Sequence, residues 1–63
     1  MRIYKFIVRF RYNEDETLYD SKTFIITGSM LDLHDAWREV IQMALTECKK
    51  YNQYISSIYY SLF

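Results

Sequence analysis

Two side chains in this sequence have the chemistry of a nucleophile and its base: the thiol of Cys48 and the imidazole of His34. Their spacing decides against that use. Both fall within one helical pattern, about four turns apart, or roughly 21 Å along the axis, so they cannot meet within one subunit. They cannot close a zinc site either, because a structural zinc needs four ligands. Cys48 lies on the apolar stripe of that helix and reads as packing; His34 lies beside the helix start and reads as solvated. Asp32 and Asp35 are the spacing of a helix cap and a first-turn acid rather than of paired catalytic carboxylates. The sequence has no glycine-rich phosphate loop, no Cys-x-x-Cys and no His-Glu-x-x-His. Neither catalytic residues nor a cofactor or metal is expected, and the reading is a non-enzyme.

The second candidate chemistry is recognition by cations among aromatics. The stretch FIVRFRY, Phe6 to Tyr12, interleaves Arg9 and Arg11 with large apolar residues. Single-stranded RNA is read on open sheets by stacked aromatics with nearby cations. Parity argues against a simple match. Tyr4, Phe6, Val8, Phe10 and Tyr12 fall on one side of the strand, which should be buried, while Ile3, Lys5, Ile7, Arg9 and Arg11 fall on the other. Phe10 and Tyr12 are then not free to stack on bases, and only Tyr19, Tyr59 and Phe63 remain. The chain also lacks the glycines of an RNA-recognition motif. Behind the arginines comes the acidic run Glu14, Asp15, Glu16 and then Asp20. Its plain reading is a solvated turn; its functional one is a small phosphate-like patch for a basic groove.

The elements that position these residues are legible from periodicity. Ile3 to Tyr12 is a strand by its period of two. Asn13 to Glu16 is a loop of about four or five residues, since it lacks the Asn-Gly or Asp-Gly pair of the tightest hairpins. Leu18 to Thr27 is a second strand with Phe24 and Ile26 toward the core; Lys22 shares their parity and should lie at an edge or beyond the helix's cover. Gly28 breaks the strand. Ser29 is a good N-cap with Asp32 three residues on, and Asp32 with Asp35 is the alternative start. Leu33, Trp37, Val40, Ala44, Cys48 and Tyr51, widened by Ala36 and Ile41, form a helical apolar stripe ending near Tyr51 and Asn52. Gln53 to Phe63 is a third strand with two nearly equal faces. Tyr54, Ser56, Ile58, Tyr60 and Leu62 are placed inward, and Ile55, Ser57, Tyr59, Ser61 and Phe63 outward.

Sixty-three residues make one small domain. A core of this size rarely supplies more than roughly 3–5 kcal/mol. With one cysteine and no metal site, tight packing or a second subunit must supply the rest. Half of the residues are hydrophobic and 19% aromatic, with one glycine and no proline, so short connections are expected. Eight basic and eight acidic residues cancel, whereas a dedicated nucleic-acid binder is usually basic. Charges interrupt the apolar residues of Met1 to Phe10, so no signal peptide is expected. No segment has the length of a membrane span, and the lone cysteine suits a reducing compartment. A cytoplasmic protein is expected.

Strand, strand, helix, strand predicts an α+β domain: a three-stranded antiparallel sheet in the order 3-1-2 with one helix on one face. The other face is left open. It would carry Lys5, Ile7, Arg9 and Arg11 from the central strand, Tyr19 and Ile25 on one side and Tyr59 on the other. Exposed apolar patches of more than a few hundred Å² mark interaction sites, and these seven residues are the expected partner-binding set. In layout alone, over its whole length and on no motif, the chain resembles small phage- or mobile-element-encoded regulators: compact, tyrosine-rich ββαβ units without catalytic residues. The resemblance implies an anti-defence or host-takeover inhibitor working in the host cytoplasm. The expected function is a protein-interaction module, an inhibitor or regulator of a larger protein, with homodimerisation favoured by the thin core. The alternative is a nucleic-acid-binding sheet.

Overall fold

The computed structural model describes residues 2–28 and 32–62. Strand β1, Arg2–Tyr12, is followed by strand β2, Tyr19–Gly28, helix α1, Leu33–Tyr51, and strand β3, Gln53–Leu62. The sheet order is β2-β1-β3, with both neighbours antiparallel to the central β1. This is the α+β fold expected from the element order.

The even side of β1 is the core. Phe6 and Val8 are fully buried, and Tyr4 and Phe10 nearly so. Register sets Phe24 opposite Phe6 and Ile26 opposite Tyr4, so β2 adds its even residues to the same side. Helix α1 lies on this side alone, through the buried Ala36, Val40 and Ala44. Small residues on that stripe let the helix approach the aromatic sheet closely. Leu33, Trp37 and Cys48 are only half-buried around it, and Tyr51 is exposed. The apolar stripe thus runs further than the burial does: Tyr51, the last residue of α1, keeps the azimuth of Ala44 but borders an open hollow with Phe10, Tyr12 and Gln53. The Trp37 ring meets Phe6 and Tyr60 edge-on at 5.7 and 6.2 Å, in the geometry that aromatic quadrupoles favour.

Of the two helix starts, Asp32 is the cap. Its Oδ1 accepts from the Asp35 backbone N–H at 2.8 Å, while Ser29 lies outside the described residues. At the other end Asn52 takes the left-handed conformation, φ 53°, and its N–H donates to the Cys48 carbonyl. Asparagine tolerates that region better than most residues. Asn52 then ties this end of α1 to the hairpin, accepting from Asn13 through both its backbone and side-chain oxygens at 3.1 Å.

Two expectations about the strands need correction. Leu18 is in the loop and exposed, and β2 begins at Tyr19. The loop is longer because Asp15 organises it as an Asx turn: its Oδ1 accepts from the Thr17 N–H at 3.0 Å and hydroxyl at 2.6 Å. In β3, a β-bulge breaks the alternation. Arg9 pairs with Ser57 but Phe10 pairs with Ile55, leaving Ser56 as an extra residue. Ile58 and Tyr60 face the helix side as expected. Below the bulge the faces swap: Ile55 packs on the core and Gln53 is buried, whereas Tyr54 and Ser56 are exposed. Strict alternation would have set Ser56 and Tyr54 under α1 and left Ile55 in water.

Candidate interaction face

The register brings all seven expected partner-binding residues to one face. Lys5, Ile7, Arg9 and Arg11 project from β1 away from α1; Ile25 is the cross-strand partner of Lys5, Tyr19 of Arg11, and Tyr59 of Ile7. No described element covers this side of the sheet. Ile7 is 38% exposed at its centre, with Ile25 at 57% and Tyr59 at 60% on its flanks. Ile55, expected here, is not part of it, for the bulge turns it inward. Tyr54 takes its place opposite Arg11. Phe63 lies outside the described residues. No local sequence signal marks Tyr54, since the bulge falls in a run of Ser and Ile that either face would accept.

The two arginines are held rather than loose. The Arg9 guanidinium lies 4.9 Å from the centre of the Tyr19 ring and that of Arg11 5.5 Å from it, both within cation–π range. Arg11 also donates to the Glu16 carbonyl at 2.7 Å, joining the face to the hairpin loop. Arg9 Nε is buried without a hydrogen-bond partner, so this side chain is packed along its stem among its neighbours. Pre-set arginines lose little rotamer freedom on binding. The face is therefore apolar at Ile7, Ile25 and Tyr59, with Lys5 opposite Ile25, and cationic-aromatic near the hairpin.

The acidic residues beside it divide into two kinds. Asp15 is used in the turn, and its bonds from Thr17 hold its carboxyl below the usual range. Asp20 is turned to the helix side. Its Oδ2 accepts from the Tyr12 hydroxyl at 2.6 Å and from Gln53 Nε2 at 3.3 Å. The bond to Asp20 pushes the Tyr12 phenol above its ordinary value. Among the described loop residues, Glu14 and Glu16 remain as exposed acids outside the turn's hydrogen bonds, a smaller patch than the sequence run suggested. Tyr12, Asp20 and Gln53 also line a hollow of about 280 Å³ with Lys22, Glu47 and Tyr51. Lys22 crosses it to pair with Glu47 at 3.0 Å, which explains a lysine with core parity on β2.

Cys48 is half-buried, and desolvation with the neighbouring Glu47 charge pushes its thiol upward, opposite to the activation a nucleophile needs. Among the described residues no group of three or more His, Cys, Asp or Glu is placed to hold a metal, and no helix is long and apolar enough to cross a membrane. Comparison with protein-family models, curated proteins and solved structures gives no significant match.

Proposed function

We propose that this chain is a non-enzymatic interaction module, a small inhibitor or regulator that lays its open sheet face on a larger protein. One observation carries this reading: Ile7, Ile25 and Tyr59 form an exposed apolar centre on the side of the sheet that α1 does not cover. Burial of that centre supplies affinity, and the fixed Arg9–Arg11–Tyr19 group supplies orientation, arginine and tyrosine being the residues interfaces favour. Copurification from the native host with wild-type and variant protein tests it. Ile7→Asp and Ile25→Asp should lose the partner while keeping the wild-type circular dichroism. Arg38→Glu, on the solvent side of α1, should retain it. Equal recovery with all three variants would sink the reading.

The arginine–tyrosine group supports a second reading, binding of single-stranded nucleic acid on the same face. Affinity would then fall steeply with salt and vanish in Arg9→Ala/Arg11→Ala. The protein reading is preferred because both guanidiniums are already engaged by one ring, the exposed acids Glu14 and Glu16 lie in the adjoining loop, and the net charge is zero.

A further inference from the structure

The two edges of the sheet are not alike. Strand β2 presents Asp20 and Lys22 along its edge, and above it α1 sets Glu47, in the ion pair to Lys22, one turn beyond the exposed Met43. Strand β3, QYISSIYYSL, carries no charge, no proline and no glycine over ten residues. Proteins usually blunt an exposed edge with charges, prolines or bulges, because its free N–H and C=O groups recruit other strands. The bulge at Ser56 protects only the start of β3; residues 57–62 continue as regular ladder. The helix layer repeats the asymmetry. Trp37 and Tyr60 pack together on the β3 side. Leu45, two turns beyond Trp37, is 54% exposed and shares a surface hollow with Gln53, the first residue of β3. Leu33, His34, Trp37 and Tyr60 line a second, apolar hollow nearer the start of α1.

We infer that β3 is a dimerisation edge: two copies of this chain pair β3 with β3 antiparallel, about a twofold axis at Tyr59, into one six-stranded sheet. Three features select a second copy as the occupant. An uncharged strand meets its own twofold image without opposed like charges. With the axis at Tyr59, Ser57 faces Ser61 and Ile58 faces Tyr60 of the other copy, so each pair shares a face of the sheet, as antiparallel pairing requires. Finally, Leu45 stands about 12 Å along α1 from Trp37, which is the offset that sets it opposite the partner copy's hollow of Leu33, His34, Trp37 and Tyr60. A bare peptide strand would leave that leucine uncovered. The arrangement is isologous and closes, whereas pairing β3 onto β2 of the next copy would make an open fibre; Asp20 and Lys22 guard against it.

The dimer is independent of the partner reading, since it uses the edge and not the face, but it enlarges that face. Three strands of ten residues project about 480 Å², and six about 960 Å². A standard interface buries ~800 Å² of accessible surface per partner, so the doubled face is the better platform for one.

Sedimentation equilibrium on the wild type and three variants tests the inference, with amide exchange followed against protein concentration. The wild type should be a dimer, with protection of β3 amides 57–61 rising with concentration. Leu45→Glu should weaken dimerisation by about tenfold or more and remove that added protection. Met43→Glu, on the β2 side of α1, and Ile7→Asp, on the open face, should leave the dimer intact. A wild type that stays monomeric overturns the inference. So does a dimer that survives Leu45→Glu, or one that Ile7→Asp alone dissociates. Loss of partner recovery in an Ile7→Asp dimer that stays intact separates the two proposals.

Discussion

Single side chains here do their work mostly through local hydrogen bonds. Asp32 is the sharpest case, because its carboxylate accepts from the Asp35 N–H, one of the free donors at the start of α1. The bond from the Asp35 N–H is the main cause holding its carboxyl below the ordinary value of 3.8. A folded-state value below the unfolded one means that the carboxylate stabilises the fold above the unfolded value, and that this contribution is lost as pH falls through the folded one. Asp15 behaves in the same sense. Thermal melts should therefore show stability falling on acidification below about pH 4. Asp32→Ala should melt lower at neutral pH and less steeply in acid. Asp32→Asn should keep the neutral-pH midpoint, since asparagine caps as well as aspartate, and should also respond less to acid. Equal melts for Asp32→Ala and the wild type at neutral pH would show that the cap contributes nothing. Tyr12 has the opposite sign. Its raised phenol supports the fold at neutral pH and loses that contribution as pH rises above its ordinary value of 10.0.

At the scale of elements, the bulge in β3 decides which side chains meet the core. It is a one-residue insertion, yet below it every residue changes face. Ile55 is thereby packed beside the buried Phe10, its partner in the ladder, and Tyr54 joins the open face. The two registers make opposite predictions for the same pair of substitutions. With the bulge, Ile55→Asp should cost at least about 2 kcal/mol, as burying an unpaired charge does. Tyr54→Asp, on the exposed side, should cost less than about 1 kcal/mol. Urea titration of the two variants measures both, and a reversed order would mean that β3 runs unbulged. The strand could be recognised in the sequence because Ile and Tyr recur through it. Its register could not, because both of its faces have nearly the same composition and nothing local favours one.

The whole molecule is a slab, 40 × 18 × 13 Å, with a radius of gyration of 12.4 Å, against about 10.6 Å for a compact chain of this length. Its core is one layer of side chains between a sheet and a single helix, so each large residue carries a large share of the stability. Phe6 is fully buried at its centre. Phe6→Ala should cost about 3–5 kcal/mol, comparable to all that a core of this size supplies, and should abolish the cooperative melt at micromolar concentration. A variant that still melts cooperatively near the wild-type midpoint would place the stability elsewhere. The sequence by itself determined the elements, their order and the buried side of β1, because period-two and period-3.6 patterns record which side of an element meets the core. It also placed Lys5, Ile7, Arg9, Arg11, Tyr19, Ile25 and Tyr59 on one face, since the parity of β1 and the antiparallel ladder carry across the sheet. Only the tertiary structure decided that Ser56 is a bulge, that Ile55 is inward and Tyr54 outward, and that Arg9 and Arg11 share the Tyr19 ring. Those outcomes depend on how β3 fits against Phe10 and α1, a competition between packings that no stretch of the chain contains by itself.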